Sequence, residues 1–353
     1  MMNNTMENKA ASGMEEVKEP TGFQKFMDNM KDPVKRKVRN KKILVFLGVL
    51  LRTFVLIGLC FVILLPVFEK LSAALRHPTD ISNSQVVWIP AQFSIINFRV
   101  AAKLLNYNLS LWNTLKLSFF CMVIQIIATA IAGYSFARLK FKGSGIVFIL
   151  VIFTLVVPNE ALDRSRTWIM NEHTFLGISL IGNAFSMYVM CAFGQGIRSA
   201  IFIFLFRQFF KGIPIELEES AQVDGAGVIR TFVSVMLPNA RGAIVTVGLF
   251  AFVWQWNDCY FGQLLGYTTQ SGSLLAVKLA TGTEQLRTVI ETWRMAGDEV
   301  LSSFVASGVV VDPVFIALIA NTAALLIMLP LLIGYFFVQK LFVESIERTG
   351  IVG

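Results

Sequence analysis

The chain has 353 residues, of which 55% are hydrophobic and only 15% charged, with a mean hydropathy of +0.64 and 31 phenylalanines. Globular chains run at roughly 45–50% apolar and 25% charged. The balance excludes a disordered chain, a coiled coil and a secreted disulfide scaffold. It leaves a polytopic membrane protein with small soluble parts. The net charge of +8 then reports topology before it reports nucleic acid, because cytoplasmic flanks of membrane spans collect Lys and Arg.

In chain order, residues 1–42 form a polar extension, poor in aromatics and expected to be mostly disordered. Within it, residues 21–31 place Phe23, Phe26, Met27 and Met30 at i, i+3, i+4 and i+7 behind a possible Thr21 N-cap. That pattern is a short amphipathic helix, and both the inner leaflet and a partner protein fit its apolar face. Residues 35–42 (KRKVRNKK) carry six positive charges. Six apolar runs follow, near 46–68, 112–137, 146–162, 178–206, 241–265 and 314–339. About 20 apolar residues suffice to cross the hydrocarbon core, and helices are the spans expected here. Residues 43–340 are therefore read as an all-α, six-helix membrane domain, and 341–353 as a short tail.

Charge sets the expected orientation. Arg138, Lys140 and Lys142 follow the second run, and Arg207, Lys211, Arg230 and Arg241 follow the fourth. The loop 266–313 instead sets Lys278, Arg287 and Arg294 against Glu284, Glu291, Asp298, Glu299 and Asp312. Both termini are then cytoplasmic. The N-terminal tract is too long and too charged for a signal peptide, and no A-x-A site follows the first apolar run, which reads as an uncleaved anchor. Cys60, Cys121, Cys191 and Cys259 lie in or beside apolar runs with no CxxC pair, and His77 and His173 are the only histidines. No metal site is expected.

The informative segment is 207–240. Pro214 suits the first position of a helix, and Glu216, Glu218 and Glu219 crowd its first turns, where the helix dipole favours acids. Gly225 sits where that helix should stop, Gly227 permits a tight turn, and a second helix runs from Val228 until Pro238 breaks it. The second helix is apolar on two sides, with Val228, Phe232, Val235 and Met236 against Ile229 and Val233. A short cytosolic helix of that kind needs a cover, either from its own protein's spans or from a partner.

At these residues the chain resembles the membrane-spanning subunits of binding-protein-dependent ABC importers. Their signature is Glu-Ala-Ala, three residues, Gly, nine residues, Ile-x-Leu-Pro. Here Glu219-Ser220-Ala221, Gly225 and Val235-Met236-Leu237-Pro238 hold that spacing, with Ser220 and Val235 as the departures. The form ELEESAQVDGA, with Asp224 before Gly225, looks like the carbohydrate-uptake branch and is similar to the smaller permease of maltose importers. Asn113-Thr114, the AGYSFARLKFKG stretch after the second run, Trp256-Asn257-Asp258 and the tail ending in Gly also fit, so the resemblance extends from about residue 50 to the C-terminus.

The resemblance implies a permease subunit of the bacterial cytoplasmic membrane with no catalytic residues of its own. It would pair with a second permease, two ATPase subunits holding ATP and Mg, and an extracytoplasmic binding protein that delivers a sugar or oligosaccharide. Residues 69–111 and 266–313 would be long enough to dock that protein. The helix–turn–helix would enter a cleft of the ATPase, with Glu219, Ser220, Ala221, Asp224, Gly225, Leu237 and Pro238 as its coupling residues. No Walker A motif occurs in the chain, so ATP must bind elsewhere.

Polar residues at membrane depth mark possible paths. Gly194 and Gly196 flank Gln195 and precede Arg198 in the fourth run, where a broken helix lining a cavity and close helix packing both fit. Arg52, early in the first run, reads as a snorkelling side chain. Trp254, Trp256, Asn257 and Asp258 combine aromatic faces with amide and carboxylate groups, which suits a sugar path, although Trp also marks membrane interfaces. Asn321 is a lone amide in the sixth run, expected to hydrogen-bond between helices. An ion-coupled secondary transporter would usually need a buried acid and inverted repeats; Asp258 is the one clear mid-run acid, and no repeat is visible. A membrane enzyme would need a motif such as GxSxG or HExxH, and neither occurs.

Overall fold

The computed structural model describes residues 33–77, 80, 89–172, 174–175, 178–266, 273–297 and 312–350. The amphipathic segment expected at 21–31, and residues 267–272 and 298–311 of the long loop 266–313, lie outside them. The chain divides into two units, Met1–Phe68 and Glu69–Gly353.

Helix α1, Pro33–Ala74, tolerates Pro33 because the first turn of a helix has no use for that N–H, and it carries Pro66 internally. Residues 33–42 are helical, and the basic cluster continues without a break into the apolar segment. Side chains from Ile43 to Phe61 are exposed in an almost unbroken apolar run.

In the second unit, α2 (Ile96–Leu105) and α3 (Tyr107–Arg138) are separated by Asn106, held at φ 45° and ψ 55°. Asn is one of the few non-glycine residues that tolerate this left-handed conformation. Asn97 fixes the start of α2 by donating Nδ2 to the carbonyls of Ala74 and Arg76, at 3.0 and 2.7 Å.

Short helix α4 (Ser144–Phe153) follows, then polar α5 (Asn159–Glu172). The third run was expected to be helical over 146–162. Its helix ends at Phe153, since Leu155–Val157 close in turns before Pro158. A two-residue antiparallel pair joins β1 (Thr174–Phe175) to β2 (Ile178–Ser179). The fourth run is two helices, α6 (Phe185–Ala192) and α7 (Ser199–Gly212). Then come α8 (Glu216–Val223) and α9 (Val228–Asn239), the latter with a π-helical segment at Phe232–Met236. Helix α10 (Arg241–Trp256) leaves α9 at a bend of 79°. Short α11 (Tyr260–Leu264), α12 (Leu275–Glu284), α13 (Leu286–Met295) and long α14 (Pro313–Gly350) complete the chain, so the fifth run breaks at 257–259 and the expected tail is helical to residue 350.

By length and composition, Asn40–Ala74, Tyr107–Arg138 and Pro313–Lys340 can each cross a membrane, and α9 with α10 adds a fourth if the bent pair is one span. Helix α3 is the axis of the second unit and packs most extensively on α7 and α10. Three apolar clusters lie along it. Near Arg138, Tyr134 meets Phe202, Phe206, Phe210, Met236 and Val247. Midway, Leu117 and Cys121 meet Met187, Met190 and Phe261. At the far end α2, α12, α13 and α14 enclose Leu105, Leu275, Leu286 and Phe315.

One face of α3 is also a buried polar stripe: Ser110, Thr114, Ser118, Gln125 and Thr129. Ser110 shares a hydrogen bond of 3.0 Å with Ser273, and Thr114 Oγ1 accepts from the Leu275 N–H at 3.0 Å. Gln125 Nε2 donates to the Ile197 carbonyl and to Ser199 Oγ, both at 2.8 Å.

Candidate functional site

The acidic–apolar segment folds as the expected helix–turn–helix, with different punctuation. Helix α8 starts at Glu216, two residues after Pro214, and the Ile215 carbonyl takes the first N–H bonds, from Glu218 and Glu219. At the other end the Ala226 N–H reaches the Ala221 carbonyl at 2.9 Å and the Gly225 N–H reaches Gln222 at 3.0 Å. With Gly225 at φ +80°, this is a Schellman stop, which a residue lacking Cβ satisfies without strain.

Pro238 does not end the second helix. The π-helical segment before it loosens the backbone ladder where proline offers no N–H, and the chain turns at Ala240 instead. The segment given as 207–240 also starts later than expected, since Arg207–Gly212 complete α7.

Glu218 is the one buried charged side chain among the described residues, at 8% exposure. Tyr134, in the last turn of α3, donates its hydroxyl to Glu218 Oε1 at 2.8 Å. Arg138 Nε lies 3.4 Å from Glu218 Oε2, and the same guanidinium donates to the Ile213 carbonyl at the entry to α8. The Tyr134 ring stands edge-on to Phe210 of α7 at 5.7 Å and packs on Phe232 of α9 at 5.0 Å.

The face away from α3 is exposed. Glu219, Ser220, Asp224, Gly225 and Pro238 are open to solvent, and Ala221 and Leu237 are half-buried. Beside them lie Leu217, Val223, Val228, Ile229 and Val233, with Val223 88% and Ile229 80% exposed. The two-sided apolar pattern of α9 thus divides: Met236 and Phe232 pack on the chain itself, while Val228, Ile229 and Val233 do not.

The polar candidates in the apolar runs gather in two cavities. Gly194 at φ +70° and Arg198 at φ +55° carry the chain across the gap between α6 and α7. Gly196 lies against Cys191 and Gln125, where a methyl group would come within 2.8 Å of Cys191 Sγ. The gap opens on a cavity of about 410 Å³ lined by Gln195, Arg198 and Asp258, with Glu160, Arg166 and Tyr260. Arg198 sits over the Trp254 ring, 5.0 Å from its centroid. Asp258 accepts from the N–H groups of Phe261 and Gly262 at 3.2 and 3.1 Å, so it caps α11 while facing the cavity. A second cavity of about 390 Å³ is lined by Asn257 and Asn321 with Thr283. Asn321 makes no interhelical hydrogen bond among the described residues; it faces that space instead.

Trp256 departs from the sugar-path reading. It is 1% exposed and its Nε1 donates to the Ile327 carbonyl at 3.2 Å, inside the core formed with α14.

Sequence reasoning took Arg138 as a topology marker and Glu218 as a helix-start acid, and it did not single out Tyr134 or the junction the three form. The quoted AGYSFARLKFKG stretch held Tyr134 and Arg138, but nothing in local spacing pairs them with an acid 84 residues beyond Tyr134. It also passed over Gln255, buried with both carboxamide atoms unpaired. No group of three or more His, Cys, Asp or Glu residues is placed to hold a metal among the described residues.

Comparison with known proteins places this geometry. A family model described as "Binding-protein-dependent transport system inner membrane component" matches residues 125–348. The chain is 29% identical to the alpha-glucoside transport system permease protein AglG of Rhizobium meliloti, over 48% of this chain and 44% of that protein. It is 28% identical to the maltodextrin transport system permease protein MdxG of Bacillus subtilis, over 68% and 74%. The match thus spans less than half the length of AglG. In fold it is similar to a chain in the crystal structure of a bacterial ABC transporter involved in the import of the acidic polysaccharide alginate. That likeness has a TM-score of 0.58, 19% identity, and coverage of 86% of this chain and 98% of that one. The family match takes in more than half of the chain, from the middle of α3 through α8, α9 and α10 to α14, and the chain belongs to the binding-protein-dependent transport system inner membrane components.

Proposed function

We propose that the chain is one permease subunit of an ATP-driven importer in the bacterial cytoplasmic membrane, forming half of a path for a sugar or oligosaccharide. The observation that carries this reading is the divided character of α8–α9, with one side fastened to α3 and the other presenting Leu217, Val223, Val228 and Ile229 among acidic residues. A surface of that kind needs a partner, and a rigid helix can carry a rigid-body movement across an interface. The partner in this reading is an ATPase subunit that holds ATP and its Mg²⁺, contacted through Glu219, Ser220, Ala221, Asp224, Gly225, Leu237 and Pro238.

The remaining assembly is a second permease, a second ATPase subunit and an extracytoplasmic binding protein. The six spans are α1, α3, α4, α6 with α7, α10 and α14, with both termini cytoplasmic. Helix α4 has ten residues and so reaches about 15 Å, half of a bilayer core. It therefore needs the turns after Phe153 and the neighbouring α7 to complete a crossing. The relatives named for α-glucoside and maltodextrin transport support a sugar as the solute. Gln195, Arg198 and Asp258 at one cavity, and Asn257 with Asn321 at the other, are the side chains that would meet it.

The test is the reconstituted complex in proteoliposomes, with binding protein outside, ATP inside and labelled maltodextrin or α-glucoside as solute. Uptake should require both ATP and the binding protein. Uptake driven by an ion gradient without the ATPase subunits overturns the reading, and a co-purified ligand of another class overturns the sugar assignment alone.

A further inference from the structure

The coupling element touches α3 at a polar junction that its exposed surface does not explain. We infer that Glu218, held by Tyr134 and Arg138, is the positioning residue through which displacement of α8 is delivered to α3. The inference rests on the proposed function and assigns the internal half of the transmission, as distinct from the exposed half formed by Glu219 and its neighbours.

Three features carry it. First, Glu218 turns inward from a helix whose other acids, Glu216 and Glu219, face solvent, and it is buried at 8% exposure. A buried carboxylate without a counter-ion would be costly, so its contacts to Tyr134 and Arg138 resist separation more strongly than exposed pairs do. Second, Arg138 grips the element at two points, the Ile213 carbonyl before α8 and Glu218 within it. Such a clamp transmits rotation as well as translation, which one contact would not. Third, Tyr134 lies one turn back on α3 and contacts α7 through Phe210 and α9 through Phe232. A movement of α8 therefore meets the end of α3 at a junction shared by four helices. Helix α3 is the axis on which α7 and α10 pack, and its Gln125 holds the broken segment beside the 410 Å³ cavity.

The experiment uses the assembled complex in proteoliposomes, with solute transported per ATP hydrolysed as the readout. Glu218→Gln keeps the shape and removes the charge, Tyr134→Phe removes one hydroxyl, and the exchanged pair Glu218→Arg with Arg138→Glu restores opposite charges. Glu218→Gln should hydrolyse ATP at close to the wild-type rate while transport per ATP falls about tenfold, because the ion pair with Arg138 is lost and the Tyr134 hydrogen bond no longer meets a charge. Tyr134→Phe should fall in the same direction by less, and the exchanged pair should recover transport relative to Arg138→Glu alone. Wild-type transport per ATP in both Glu218→Gln and Tyr134→Phe overturns the inference and leaves the proposed function standing. Losses that only track the amount of assembled complex, with no recovery in the exchanged pair, also overturn it. A wild-type complex without ATP-driven uptake defeats the proposed function instead.

Discussion

Gly133 of α3 and Phe206 of α7 meet so closely that a methyl group on Gly133 would lie 2.5 Å from Phe206 Cβ and 3.0 Å from the Arg207 backbone nitrogen. The obstruction includes backbone, so it cannot swing aside. Gly133→Ala should therefore destabilise the α3–α7 contact by about 1–3 kcal/mol, the usual range for overpacking. Thermal unfolding of the purified complex measures this. An unchanged melting temperature would show that the two helices are less intimately packed.

The stop of α8 gives a second expectation. Valine at position 225 would hold a β-branched side chain at φ +80°, at a local cost of roughly 1–2 kcal/mol, whereas asparagine tolerates that region. Gly225→Val should remain in the membrane but lose ATP-coupled uptake, and Gly225→Asn should keep most of it. Equal uptake by the two variants would remove the backbone from the explanation.

The two buried glutamines should behave oppositely. Gln125 Nε2 donates to both the Ile197 carbonyl and Ser199 Oγ, so Gln125→Met strands both partners and should cost about 1–3 kcal/mol. Gln255 has neither carboxamide atom paired among the described residues, so Gln255→Met removes a desolvated amide and should be neutral or stabilising. Melting temperatures of the two variants, compared in one complex, check the contrast. A large loss for Gln255→Met would mean that its amide has a partner in the assembled transporter.

Trp254 and Trp256 separate in the same spirit. Trp256→Phe leaves the Ile327 carbonyl without its donor and should lower stability by about 1–3 kcal/mol while solute KM is unchanged. Trp254→Ala removes the ring beneath Arg198 at the cavity and should raise KM. Uptake kinetics over a range of solute concentrations distinguish the two effects.

Much of this architecture was legible in the chain itself, for identifiable reasons. The acids at 216–219 and Gly225 announce a helix start and stop through local chemistry, and both lie near the expected places. Gly194 and Gly196 fitted either a break or close packing in the fourth run, and they divide between the two. Gly194 takes φ +70° at the break, Gly196 packs against Cys191 and Gln125, and the left-handed Arg198 carried no such signal. Composition alone could not locate the end of α4 at Phe153, since Leu155, Val156 and Val157 are as apolar as the helix before them. Nor could it predict that Pro238 would be carried inside a helix, because relief comes from a π-helical segment whose residues have no distinctive spacing. The junction at Glu218 was hidden for another reason. Glu216, Glu218 and Glu219 look alike in sequence, and only the packing of α3 decides which one turns inward.

The polar stripe on α3 also bears on how the protein is made. Ser110 already has the Leu105 carbonyl, but Thr114 and Gln125 find their partners at Leu275, Ile197 and Ser199, all later in the chain. Synthesis runs from the N-terminus, so α3 emerges from the ribosome before any of those partners exists. Thr129 can meanwhile bond the Gln125 carbonyl of its own helix, but the Gln125 carboxamide is a group that hydrocarbon cannot satisfy. The nascent helix must wait at an aqueous or protein-lined site until α7, and finally α12, arrive to cover it.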